Sequence, residues 1–526
     1  MKNWVKQNWV LLLIILIGVG FRYVGIGHLP AGLFPDEAAY GMDGRSVTHG
    51  DFQPFYERGN GREGLFMYFL AAAISIFGYH PWANHLVSAS FGLGALIAGY
   101  FLARQMFGRR VAMLSAFFMA VSSYAVTMTR TAFRANTLPL FSTLTLLFAI
   151  KIFDETDPRK KSLYAVLSGL FFGLGFYTYI SFRMMLPLFF GFAVLLLFAF
   201  RSQLRWVYET YKKPVIYFIL AFILAFSWIG YYFFVSHPGS FVGRAGQVSI
   251  FSPALNNGDV VGTFVTVVKK TVLSYFTEGD LNWRHNVSSY PFLSPFLSPF
   301  FAVAVLGFIW QFLIMLKQVW QKNLQRSTVI KSVLVFWFLF MLVPEVTTAE
   351  GIPHGLRLIG TIPAIFILSA YMVNWLWVRL KIWLPVKSMA LLIASVFIGG
   401  IFVYNFYLYF YVAANSPDYY YSFRSDLTEV SAYINERNSK DKTYLSLDAF
   451  SVQTVDYLTT PTSQPYILLV PENSYKTPLT KGDQIIFTQS TLPDAEKYKQ
   501  TFPAVKEVDR EKNRFGQTIM IVYEKP

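Results

Sequence analysis

Two adjacent acids, Asp36 and Glu37, stand in "GLFPDEAAYGMDGRS", directly after the apolar run Trp9–Ile26. Pro followed by Asp and Glu is ordinary helix N-terminal chemistry, because acids there satisfy free backbone N–H groups and the helix dipole. The same pair could hold a carboxylate beside a membrane, ready to accept a proton from an incoming nucleophile. The two readings are compatible, since a capping acid is also a fixed one. Arg130 and Arg134 in "TMTRTAFRANTLPL", Arg183 in "YTYISFRMMLP" and Arg357 in "GIPHGLRLIGTIP" lie in tight turns between apolar segments. One arginine at a helix end commonly snorkels to headgroups. Four of them suggest one anionic ligand, and the guanidinium fork suits phosphate. Glu63 in "NGREGLF", His285 in "GDLNWRHNVSSYP" and His354 just before Arg357 are candidates for substrate contact or for a divalent metal ion, with Glu63 and His285 as the pair that could share it.

The elements that must position these residues are membrane helices. Of 526 residues, 54% are hydrophobic and only 14% charged, well below the roughly 25% charged residues of soluble domains. A spanning helix needs about 20 apolar residues. Eleven stretches qualify: Trp9–Ile26, Trp82–Phe107, Val111–Met128, Leu138–Phe153, Leu163–Ile180, Met184–Phe200, Val215–Val235, Phe296–Leu316, Ile330–Val346, Leu358–Val378 and Met389–Val412. The run Leu65–Gly78 is too short to cross and reads as an interfacial helix. The basic start (Lys2, Lys6) has no small-residue cleavage site after it, so the first run reads as a retained span.

With the N-terminus cytoplasmic and Leu65–Gly78 outside, the dense basic loops fall on one side. They hold Arg104, Arg109 and Arg110; Arg159, Lys160 and Lys161; Arg201, Arg205, Lys212 and Lys213; Lys317, Lys322, Arg326 and Lys331; and Arg379, Lys381 and Lys387. That asymmetry accounts for most of the net charge of +15, so nucleic acid is not an expected partner. The chemistry-bearing residues then face outward, away from nucleotide sugars. The expected organisation is a membrane domain over 1–414, with outer segments 27–81 and 236–295, and a small extracytoplasmic α/β domain over 415–526. In the latter, "LTEVSAYINER" and "DAEKYKQTF" read as helices, and "TYLSLD", "PYILLV", "QIIFTQ" and "QTIMIVYE" as strands. No catalytic motif is evident there. With no cysteine, disulfides and thiol chemistry are excluded.

"FPDEAAYGMDGRS", "REGLFMYFLAAAISIFG", "TRTAFRANTLPL", "GFYTYISFRMMLP" and "PHGLRLIGTIPA", in this order, resemble the bacterial branch of the protein O-mannosyltransferase superfamily, which includes the aminoarabinose transferases that modify lipid A. The resemblance spans about residues 1–410. It implies an all-α polytopic membrane protein of the GT-C glycosyltransferase fold, with about eleven transmembrane helices plus interfacial helices. It also implies a polyprenyl-phosphate sugar donor and a protein, lipid or glycan acceptor at the bilayer. Asp36 would be the essential acid, with Glu37 supporting it or touching a sugar hydroxyl, and Arg357, Arg134 and Arg130 would bear on the departing phosphate. In the aminoarabinose transferases a Glu-Lys pair precedes the interfacial helix; here the stretch is "GREG", so Arg62 and Glu63 depart from that pattern. The competing function class is a flippase, transporter or polymerase of lipid-linked sugars. Transporters usually place ionisable residues near the midplane in repeated halves, whereas the charges here gather at one face.

Overall fold

The computed structural model describes residues 2–59, 61–241, 248–383, 387–437, 441–460 and 466–526. The side chains of Lys2, Lys6, Lys381 and Lys387, and residues 242–247 of the second outer segment, lie outside the described set. The architecture is a polytopic helical bundle with a small sheet near its C-terminal end.

All eleven apolar stretches are helical, but not all are simple spans. Among the described residues eight helices are long and apolar enough to cross a membrane, or nine if the pair Arg109–Val121 and Ser123–Arg130, bent by 58°, counts as one. Two expected spans lie outside that set. The first helix runs Lys2–Tyr23, 22 residues, and ends three residues before Ile26. Pro158–Gly175 spends its first turn on Arg159, Lys160 and Lys161, and it stops at Gly175 instead of reaching Ile180. It packs closely on the helix Leu204–Tyr231, because Gly169 and Gly173 let the backbones meet. A Cβ at Gly169 would stand 2.2 Å from the Phe218 carbonyl oxygen, the close approach that small residues allow between membrane helices.

Burial sorts the bundle. Helices Pro81–Phe107, Arg134–Asp154 and Ile359–Leu380 are its centre. Leu204–Ser236, Ser298–Trp320 and Ser388–Asn415 expose rows of Leu, Ile, Val and Trp to the surroundings, as lipid-facing helices do. Leu65–Phe77 buries Phe66, Met67, Leu70 and Ile74 and exposes Phe69, Ile76 and Phe77, as an interfacial helix would.

The basic loops meet at one end: Arg326 pairs with Asp154, which also accepts from Gln105, and Arg201 donates to the carbonyls of Val319 and Trp320. The helix Pro81–Phe107, 27 residues and hence about 40 Å, separates that end from the chemistry-bearing turns.

Two short strands, β1 (Phe55–Tyr56) and β2 (Arg62–Glu63), form a hairpin in the first outer segment. The C-terminal sheet contains β3 (Thr443–Ser446), β4 (Ile467–Leu469), β5 (Gln484–Thr488), β6 (Lys506–Lys512) and β7 (Thr518–Glu524), in the order β4-β3-β5-β7-β6. β4 and β5 run parallel to β3, while β7 is antiparallel to β5 and β6. Leu445, Ile486, Met520 and Val522 pack with Leu427, Val430 and Ile434 of the helix Ser425–Glu436. Besides the short helices Pro417–Ser422 and Pro471–Ser474, two elements here are absent from the sequence reading. One is β6, the charged stretch "KEVDREK" on the sheet edge. The other is the helix Val452–Thr459.

Candidate active site

The helix Pro35–Thr48 begins with Pro at its first position, where the missing N–H costs nothing. Glu37, not Asp36, closes its N-terminus. The Glu37 carboxylate accepts the Phe34 N–H at 2.9 Å and the Ala132 N–H at 2.5 Å, and His85 Nε2 lies 3.2 Å away. Glu37 is completely buried, whereas the sequence reading places it beside Asp36 as a second catalytic acid. Its acid is consumed in joining the helix to the turn at Thr131–Phe133.

Asp36 keeps a side chain 40% exposed, and its ion-pair partner is Arg62 at 3.5 Å. Asp43 lies seven residues on, two helical turns, and therefore on the same face. The hairpin clamps that face: Arg62 reaches Asp43 at 3.4 Å and Arg58 reaches it at 2.9 Å. Burial pushes the Asp43 carboxyl up from its ordinary range, against the pull of Arg62 and Arg58.

Beside the hairpin, Glu63 is buried and receives Arg134 Nε at 3.0 Å, with Arg183 at 3.5 Å. Arg134 also donates to the Tyr40 hydroxyl and the Gly61 carbonyl. Glu63 is thus tied to two arginines, and the cluster that holds His285 contains Asp280 and His354 in place of Glu63. Arg134 and Arg183 do converge, but on a carboxylate of their own chain. Four cations (Arg58, Arg62, Arg134, Arg183) stand over three carboxylates (Asp36, Asp43, Glu63), an excess of one positive charge.

Arg130 is fully buried. Its guanidinium donates to the carbonyls of Phe21, Val24 and Leu29 and lies over the rings of Tyr409 and Phe410. It fastens the end of the first helix with four of its five N–H groups.

Arg357 lies elsewhere, against Glu345 at 3.7 Å and Glu350 at 3.9 Å. It lines a cavity of about 500 Å³ with Lys270, Asp280, His285 and His354; Asp36 is not among the lining residues. His285 Nδ1 is 2.8 Å from Asp280 Oδ2, which also accepts the Gly355 N–H. Burial pulls the His285 imidazole down, against the neighbouring Asp280 carboxylate. Asp280, His285 and His354 each offer a ligand atom, all within 4.8 Å of one another. Two imidazoles and a carboxylate are a zinc-type donor set with room for an exogenous ligand.

Asp43, Arg58 and Lys270 escaped the sequence reading, and so did two residues of the loop that carries His285. Asp280 sits five positions before His285, and a carboxylate that close to a histidine in one loop is a usable signal. Arg284 precedes His285 directly. Its guanidinium stacks on Phe34 at 3.4 Å from the ring centroid. Burial lowers its pKa, opposed by the fields of Asp36, Glu37 and Asp280. Arg284 therefore lies between the acid-bearing helix and the cavity, while its Nε donates to Asn282.

The family described as dolichyl-phosphate-mannose-protein mannosyltransferase matches residues 65–231. That stretch holds Arg130, Arg134 and Arg183 but neither Asp36 nor the cavity. No curated protein matches the sequence. Among solved structures, ArnT from Cupriavidus metallidurans bound to undecaprenyl phosphate superposes with a TM-score of 0.55, at 12% identity over 98% of each chain. The oligosaccharyltransferase AglB from Archaeoglobus fulgidus, in complex with an inhibitory peptide and a dolichol-phosphate, gives 0.52 at 13% identity, over 99% of this chain and 75% of that one. This chain has the GT-C fold. Asp36 and the cavity lie towards one end of the bundle, and the basic loops at the other.

Proposed function

We propose that this protein is an integral membrane glycosyltransferase that moves a sugar from a polyprenyl-phosphate donor to an acceptor hydroxyl at the outer face of the membrane. The observation that carries the reading is the contrast at the acid pair. Glu37 is sealed in the protein, whereas Asp36 is fixed by the same helix yet left open to solvent between Arg62 and Arg284. That is the environment a general base requires: a carboxylate held rigidly and left reachable. Two solved proteins of the same fold were captured with polyprenyl phosphates, which supports a lipid-linked donor.

In the reaction, Asp36 accepts the acceptor O–H proton and the acceptor oxygen attacks the anomeric carbon. The bond from that carbon to the phosphate oxygen breaks, and the electron pair leaves with the polyprenyl phosphate. The phosphodiester, with one negative charge, becomes a monoester with a second one developing. Arg357 and Lys270 line the cavity and Arg284 adjoins its lining residue His285 in sequence; preorganised positive charge there favours that transition state. A divalent ion held by Asp280, His285 and His354 would add to it. One base and direct displacement invert the anomeric centre. The domain and orientation assignments are part of this reading: an N-terminus in the cytoplasm, and residues 415–526 outside as an extracytoplasmic domain.

The test uses full-length protein in lipid nanodiscs, synthetic polyprenyl-phosphate hexoses (mannose, glucose and galactose in separate arms) and a cell-envelope extract as acceptor. Mass spectrometry reads the release of polyprenyl phosphate, a product common to all sugars and acceptors. Asp36→Asn is expected to lose about 100-fold or more in turnover. Full activity in that variant overturns the assignment of the base. Transfer supported by nucleotide sugars and by no lipid-linked sugar overturns the donor class.

A further inference from the structure

The segment that carries Asp36 is held from two sides. One side is the membrane bundle, through Glu37 and Ala132. The other comes from residues more than 370 positions later in the chain. The helix Val452–Thr459, which enters after β3, packs on the helix Pro35–Thr48. Tyr457 is fully buried at this contact. Its ring fits only because position 41 is glycine: a Cβ there would lie 2.5 Å from Tyr457 Cε2 and 2.6 Å from Cζ. The Tyr457 hydroxyl donates to Asn84 Oδ1 at 2.8 Å, and Asn84 Nδ2 donates to the Glu37 carbonyl at 3.3 Å. One turn earlier, Thr454 Oγ1 donates to the Leu33 carbonyl at 3.0 Å. At Gly32 the backbone abuts the Phe423 carbonyl so tightly that no side chain fits. Gly32, Leu33, Glu37 and Gly41 are therefore all braced by, or through, the C-terminal region. Asp36 lies inside that brace.

We propose that Tyr457 is a positioning residue for Asp36, acting through Gly41 and Asn84, so that the C-terminal region completes the active site. The inference rests on the reading of Asp36 as the base. A base displaced by about 1 Å loses on the order of 100-fold in rate. Beyond the brace, the recorded ion-pair restraint on the Asp36 carboxylate is Arg62 at 3.5 Å, a long contact from a hairpin side chain.

Four variants of the full-length protein in nanodiscs test this: Tyr457→Phe, Tyr457→Leu, Gly41→Ala and the double variant Gly41→Ala/Tyr457→Leu. The substrate is whichever synthetic polyprenyl-phosphate hexose supports turnover. Tyr457→Leu is expected to lower kcat about tenfold or more, leave the donor KM within about twofold, and speed hydrogen exchange at amides 36–41. Tyr457→Phe keeps the ring and loses only the Asn84 bond, so it should fall between the two and should fold even if the leucine variant does not. Gly41→Ala should be the most damaged, and removing Cε2 and Cζ in the double variant should restore part of its kcat. Wild-type kcat with unchanged exchange at 36–41 in both Tyr457 variants overturns the proposal, as does a change confined to KM. If Asp36→Asn stays active, the base reading fails instead. The exchange data then still decide whether Tyr457 braces this segment, so the two failures are separable.

Discussion

Asp36 and Glu37 are neighbours with opposite environments, and their substitutions should separate cleanly. Glu37→Gln keeps one carbonyl acceptor but turns an N–H₂ group towards either the Phe34 or the Ala132 N–H. Leaving a buried donor unsatisfied costs about 1–3 kcal/mol. The expected outcome is a lowered unfolding temperature for Glu37→Gln and a near-normal one for Asp36→Asn, read by thermal melts in detergent. Glu63→Gln is a harsher case, because Arg134 and Arg183 lose their shared buried carboxylate. Breaking a buried ion pair costs about 3–5 kcal/mol, so the variant should melt early in the same assay. The sequence was enough to single out the acid pair and the arginines. It could not say which acid is sealed and which is open, because that depends on Ala132 and His85, far along the chain. For the same reason the structural bonds of Arg130 are not legible there. Nothing local in "TMTRTAF" reveals that three carbonyls of the first helix end are waiting for it.

At the scale of elements, the paired helices Arg109–Val121 and Ser123–Arg130 break where Asn405 Oδ1 accepts the Ser123 N–H at 2.8 Å. Asn405→Ala orphans that donor and should destabilise the protein by about 1–3 kcal/mol, again read by thermal melts. The loop bearing Asp280 and His285 meets the turn bearing His354 in the metal-type cluster. Protein stripped of metal and then titrated with zinc should take up one ion per chain by elemental analysis, and His354→Ala should take up none. No uptake by the parent protein counts against the site. Spans and strands were legible where the physics is local: long apolar runs, and β-branched stretches bounded by Pro, Asp and Gly. β6 was not, because "KEVDREK" has little apolar patterning on an exposed edge. Val452–Thr459 was missed because its only strong apolar face, including Val455 and Tyr457, serves a tertiary contact in eight residues.

For the whole molecule, the order of motifs identified the fold before any coordinates, since a polytopic bundle is written in the sequence as apolar length and charge asymmetry. The direction in which it lies in the membrane has a direct test. The chain has no native cysteine, so a single cysteine at an exposed site reports sidedness without background. Lys512→Cys should react with a membrane-impermeant maleimide on intact cells, and Arg110→Cys only after permeabilisation; both positions are exposed. The reverse pattern would invert the topology proposed above.

The hydrogen bonds from Thr454 to Leu33 and from Tyr457 to Asn84 join positions 421 and 373 residues apart. Such contacts bear on biogenesis. Synthesis runs from the N-terminus, so the segment around Asp36 emerges and inserts among the first fifty residues, yet the groups that brace it are made in the last fifth of the chain. Until Val452–Thr459 has been made, an intermediate on the ribosome carries the acid without this second brace. A chain truncated by premature termination would insert its helices and display Asp36 on a turn without it. Bracing of the Asp36 segment is thereby tied to the synthesis of Val452–Thr459, so the order of synthesis sets the order of assembly.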